Sequence, residues 1–207
     1  PAASVEPGLP LGAGAIAVPG AAVTPRGRPR KEGREDLPAR ILATAQAILD
    51  EGGPAGLTLR RLAGELGLTP MALYTHHADR AALIRALADR AYGGVNAPAE
   101  GSPRQRLAGL ITAYHAAVQA HPALTLEIFR DPAAFPDQAR RITATLEQLL
   151  QDAGLQGAAV TAWRDILIDV THGAALALAA HPQADTASGH AATEALDHLL
   201  AALPCAP

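Results

Sequence analysis

The sequence predicts an all-α chain, with a three-helix domain near its amino-terminal end and a larger helical body behind it. Hydrophobic residues make up 49% of the chain but aromatic ones only 3%. The apolar mass is therefore Ala and Leu, strong helix formers. From Leu37 onward apolar residues recur three and four positions apart, the period of a helix face. Capping residues, Gly and Pro cut this pattern into segments of helical length, and no segment alternates as a strand would.

Residues 1–36 are expected to form a disordered tail. Up to Thr24 they are mostly Ala, Gly, Pro and Val, with Glu6 as the one charge, and they lack the large apolar side chains that offset ordering entropy. A basic arm follows at 25–31, PRGRPRK. Its glycine lets the backbone lie close to the floor of a narrow groove while Arg26 and Arg28 reach along it, with Arg30 and Lys31 behind. The prolines keep it extended. The run resembles the core of an AT-hook, which implies the narrow, strongly negative minor groove of A·T-rich DNA. A solvated basic linker is the plainer reading.

A DNA-binding domain is expected over 37–93. Leu37, Ile41, Ala45, Ile48 and Leu49 share one helix face, which Gly52 and Gly53 end. Thr58 can cap a second helix striped by Leu59, Leu62, Ala63 and Leu66, and Gly67 suits a left-handed stop. Small Ala63 lets the next helix cross closely. That helix has Thr69 as its cap and Pro70 at its first position. Asp79 caps a third, with Leu83, Ile84, Leu87 and Ala91 in phase. Two short helices at a tight turn, followed by a longer one, read as a helix-turn-helix that presents its second helix to the major groove.

These residues also carry a family resemblance. TLRRLAGEL followed by GLTPMALYTHHADRAALIRAL resembles the DNA-binding domain of TetR-family transcriptional regulators, in particular the tetracycline-repressor branch. Thr69, the Leu73–Tyr74 pair, His76 and Arg80 meet that pattern, and the resemblance extends from Leu37 to Tyr92. His77 departs from it, standing where an apolar or aromatic residue is usual, and so does Ala78, where a polar or basic one is common. By this resemblance Pro70, Met71, Ala72 and Thr75 face base edges, and being short or apolar they suit thymine methyl groups. Arg60 matches a position that reaches guanine. Tyr74, His76 and Arg80 are expected at phosphates, together with Thr58 and the amide-rich helix start at Thr69.

Gly93-Gly94 and the run from Pro98 to Pro103 read as a break and a linker. A second, ligand-binding and dimerisation domain is expected over 103–203, in five helices near 103–120, 122–130, 136–153, 157–180 and 189–203. The last two are Ala-rich. Small residues permit close helix approach, and two such helices from each of two subunits make a four-helix interface. One short recognition helix reads too few base pairs to compete with a genome, which also calls for a homodimer on a palindromic operator in double-stranded DNA. The family resemblance further implies a small-molecule effector held among the middle helices, for which Tyr114, His115, Phe129, Trp163 and His172 are the large or polar candidates.

Charge supports this division. From Arg26 to Tyr92 eleven Lys and Arg face eight Asp and Glu, whereas from Gly93 onward six face eleven. A basic amino-terminal part on an acidic body suits a DNA reader attached to something else. No apolar run reaches the length of a membrane span, the apolar stretch from Leu11 to Val18 has no basic region before it, and Cys205 is the single cysteine. A cytoplasmic protein without disulfides, metal or cofactor is the expectation. His76 and His77, being adjacent, point about 100° apart on a helix and rarely share one ion. Two rivals remain: an architectural DNA binder without effector, and an enzyme using Asp169 and His172, which lie three apart on one helix.

Overall fold

The computed structural model describes residues 37–180 and 186–204, which contain nine α-helices, one 3-10 turn and no strand. The basic arm (Arg26, Arg28, Arg30 and Lys31), the rest of the expected tail, and Cys205 lie outside the described residues.

Helix α1 (Leu37–Gly56) buries Ile41, Ala45, Ile48 and Leu49, the face its periodicity marks. Gly53 breaks it at φ 61°, a left-handed value open to glycine, and Pro54 starts one more turn. In α2 (Leu59–Leu66) the Thr58 hydroxyl accepts from the Arg61 amide at 3.1 Å. Gly67 stops it at φ 65°, and the Leu68 amide closes the turn on the Ala63 carbonyl at 2.8 Å. Helix α3 (Pro70–Tyr74) is capped by Thr69 and buries only Leu73. Helix α4 (Arg80–Ala91) has its Asp79 cap 2.7 Å from the Ala82 amide and buries Leu83, Ile84, Leu87 and Ala88.

A linker leads to α5 (Pro103–Ala120), which starts in a full capping box: Ser102 accepts from the Gln105 amide and the Gln105 side chain accepts from the Ser102 amide. Pro98 of the linker packs on α5 at Gly109, where a Cβ would stand 2.5 Å from its ring. Gly109→Ala should therefore cost about 1–3 kcal/mol through overpacking, read from urea unfolding. His121 ends α5 and Pro122 begins α6 (Pro122–Arg130). After the turn Pro132–Ala134 come α7 (Asp137–Asp152), α8 (Ala158–Ala180) and α9 (Thr186–Ala201). The last helix starts three residues earlier than its apolar pattern predicts.

Helix α6 occupies the centre of this arrangement, touching α1 and α4 on one side and α5 and α8 on the other. Helix α7 also reaches α4: the Gln138 amide donates to Asp89 at 2.9 Å, and its side chain donates to the Tyr92 carbonyl at 2.9 Å. Among the described residues no helix is long and apolar enough to cross a membrane.

Candidate nucleic-acid interface and internal cavity

The turn between α2 and α3 is held by Thr69, whose hydroxyl accepts from the Ala72 amide at 3.3 Å, and by Leu73, buried beneath it. With Leu73 committed inward, the helical phase leaves Thr69, Pro70, Met71, Tyr74, Thr75 and His76 exposed and Ala72 partly so. Met71 is 73% exposed. An unbranched thioether standing in water on a short helix suits contact with thymine methyls and other apolar base edges. Thr75 uses its hydroxyl on the Ala72 carbonyl at 2.7 Å, which leaves its methyl group for a base. Arg60 is exposed at the start of α2, whereas Arg61 turns back to Glu51 at 2.7 Å. Half-buried His77 donates its amide to the Leu73 carbonyl at 2.9 Å. Burial, and secondarily the neighbouring His76, hold its pKa below the ordinary histidine value.

Arg80 departs from its expected place at a phosphate. Its guanidinium donates to the Pro54 carbonyl at 3.0 Å and the Leu57 carbonyl at 3.3 Å, and pairs with Glu127 of α6. Glu127 is only 2% exposed and also meets Arg130 at 3.3 Å. The first residue of α4 thus ties the end of α1 to the central helix. Two residues 47 apart in sequence make this pair, and no local pattern announces it.

On its opposite side α6 turns Thr125, Ile128 and Phe129 into a cavity of about 280 Å³. Tyr92, Tyr114 and Phe135 add aromatic walls, α7 adds Ala139 and Thr143, and α8 adds Arg164, Asp165, Ile168 and His172. Rings meet edge to face along it, with centroids 5.8 Å apart for Tyr92 and Tyr114, 5.6 Å for Tyr114 and His172, and 4.7 Å for Phe129 and His172. The Tyr114 hydroxyl and His172 Nε2 are hydrogen-bonded at 2.6 Å. Burial raises the Tyr114 pKa, so the phenol stays protonated.

Of the five side chains expected in a pocket, Tyr114, Phe129 and His172 come together and two do not. His115 is buried beside Tyr114 on α5 but lies outside the cavity, and Trp163 is half-buried against the core. Adjacent helical positions diverge by about 100°, and the rotations of α5 and α8 turn His115 and Trp163 off the cavity wall that Tyr114 and Arg164 line. On α8 the cavity adds Arg164, Asp165 and Ile168, which are not among the five expected side chains, although their three- and four-residue spacing ahead of His172 is a usable signal. Asp169 is exposed on α8 and does not line the cavity, so of the pair weighed for acid–base chemistry His172 alone faces it.

Burial, partly opposed by Asp169, lowers the His172 pKa from 6.5 to about 4. The unfolded chain then takes up this proton near pH 6.5, whereas the folded one does so only near 4. Stability present above pH 6.5 is lost as pH falls toward 4, by about 3 kcal/mol. His172→Leu should flatten that part of a urea-unfolding profile.

Residues 41–87 match the family model described as bacterial regulatory proteins, tetR family. Among solved structures, BioQ of Mycobacterium smegmatis is 28% identical at a TM-score of 0.67, the match covering 80% of this chain and 96% of that one. BioQ with its natural double-stranded DNA operator is 27% identical at a TM-score of 0.63, over 79% and 98%. A possible TetR family transcriptional regulator from Streptomyces coelicolor A3(2) is 25% identical at 0.66, over 80% and 98%. No curated protein matches the chain. The capped helix-turn-helix and its match to the family model identify the amino-terminal domain as one of the tetR type, and with the helical body shared with these regulators the protein is a DNA-binding transcriptional regulator.

Proposed function

We propose that this regulator is a homodimeric repressor that holds a palindromic operator in double-stranded DNA and releases it when a small molecule fills the α4–α8 cavity. The carrying observation is the double role of α6, which lines the cavity with Thr125, Ile128 and Phe129 and grips the start of α4 through Glu127 and Arg80. A ligand pressing on one face of this helix moves the anchor on the other. It lowers operator affinity by the ratio of its affinities for the two conformations. In a dimer, a few ångströms of displacement spoils simultaneous fit to half-sites one helical turn apart.

Met71, Pro70, Ala72 and Thr75 are assigned to base edges together with Arg60. Thr58, Thr69, Tyr74 and His76 are assigned to phosphates, and the arm at 25–31 to the adjacent minor groove. BioQ, whose solved operator complex shares this fold, supports the DNA-bound arrangement. The dimer reading is supported by α8, where Ala162, Ile166, Gly173, Leu176 and Ala177 lie exposed along one stripe, interrupted by Asp169. Such a stripe suits close packing against a second copy. The reading places the protein in the cytoplasm with its DNA. Against an architectural binder without effector stands the formed cavity itself.

The test is binding to the DNA upstream of its own gene at two salt concentrations, with footprinting. A protected palindrome and affinity falling steeply with salt are expected. Diffuse protection of DNA selected from random sequence would overturn the operator reading in favour of the architectural one.

A further inference from the structure

The cavity specifies a chemical class of ligand, an inference that rests on the effector reading above. We propose that it selects an uncharged, mainly apolar molecule offering one hydrogen-bond acceptor, such as a ketone oxygen, to the Tyr114–His172 pair.

Size and lining give the first reason. Edge-to-face rings along one wall, with Ile128 and Ile168 beside them, line a cavity near the lower end of the ~300–1,000 Å³ common for ligand sites. Phe129 and Phe135 on it are still 56% and 39% exposed, apolar surface that an apolar guest would cover.

Hydrogen-bond accounting gives the second. Thr125 donates to the His121 carbonyl at 3.2 Å, so the Tyr92 hydroxyl, 3.2 Å from Thr125 Oγ1, donates to it. Thr143 donates to the Ala139 carbonyl at 2.9 Å. Tyr114 and a neutral His172 own two hydrogens, and their mutual bond uses one. Whichever tautomer holds, the pair keeps one hydrogen to donate. That hydrogen sits on the Tyr114 hydroxyl when Nε2 donates and on His172 Nδ1 when the phenol donates, and a guest whose acceptor meets it gains a bond that an apolar guest does not.

Charge gives the third. Arg164 is the cationic residue on the wall, and it already pairs with Asp165 at 2.7 Å and with Glu147. One guanidinium between two carboxylates leaves an excess negative charge, so a carboxylate or phosphate guest meets repulsion instead of a partner. Burial also keeps His172 neutral near pH 7.

The test uses three probes of the same ring system and nearly the same shape: 2-acetylnaphthalene, 2-naphthoate and 2-isopropylnaphthalene. Binding to the full chain is followed by NMR shift titration at pH 7.5, with operator release measured in parallel. The ketone should bind at least tenfold more tightly than the carboxylate and several-fold more tightly than the isopropyl compound. Tyr114→Phe or His172→Phe alone still leaves one donor hydrogen and should keep the second preference, whereas the two together should erase it with the isopropyl compound held within about twofold. Melting of the single and double variants checks that each folds. Carboxylate binding equal to ketone binding, or a ketone preference that survives in the folded double variant, would overturn the ligand class while leaving the effector cavity standing. No cavity shift with any probe would overturn the cavity reading and this inference with it. Ketone binding without operator release would keep the ligand class and sink the release mechanism.

Discussion

Replacing Arg80 with Ala lowers stability by about 2–3 kcal/mol and weakens operator binding without changing the slope of log affinity against log salt. The first effect follows from what stays behind. Glu127, 2% exposed, loses its principal partner and keeps only Arg130, while the carbonyls of Pro54 and Leu57 lose a donor. Breaking a buried pair by removing one member costs about 3–5 kcal/mol. The lower figure applies because Arg80 is itself 40% exposed and Arg130 remains. The second effect separates the internal anchor from the phosphate contact expected from sequence. Loss of a phosphate ligand would reduce the salt slope by about 1, whereas loss of an anchor loosens α4 equally at every salt concentration. Urea unfolding and fluorescence anisotropy across a salt series measure both. A slope smaller by about one unit would restore Arg80 to the DNA surface.

Leu73→Ala should remove about 2–5 kcal/mol and abolish specific binding, while Met71→Ala, two positions away, should leave stability within about 0.5 kcal/mol and alter only base preference. Leu73 is 1% exposed and is the one buried residue of the five-residue α3. Its side chain fastens that helix to the core, and its carbonyl receives the amides of His76 and His77, both at 2.9 Å. A helix this short has too few internal bonds to persist alone, so loss of its packing loses the helix. Met71 touches mostly water in the free protein, and its removal leaves no cavity. Unfolding curves paired with selection from a randomised half-site would read the contrast. Equal destabilisation by both changes would show that α3 is positioned in some other way.

What the sequence by itself determined is what local chemistry can specify. Thr58, Thr69 and Asp79 cap their helices, Gly53 and Gly67 adopt positive φ, and buried faces recur with the helical period in α1, α5 and α7. Each depends on atoms within about four residues, so one segment holds all the information required. The exposed surface of α3 was legible for the same reason, since Leu73 facing inward leaves Met71 and Tyr74 facing out.

Tertiary structure alone decided the partners of Arg80 and the composition of the cavity. Glu127 lies 47 residues from Arg80, on another helix. Tyr114 and His172 are 58 residues apart. Large or polar character predicted His115 and Trp163 as readily as Tyr114 and Phe129, because residue type says nothing about which way a helix is rotated against its neighbours. That rotation follows from how α4 to α8 pack together. The packing places Tyr92, Thr125 and Arg164 on the cavity wall and leaves Asp169 outside it.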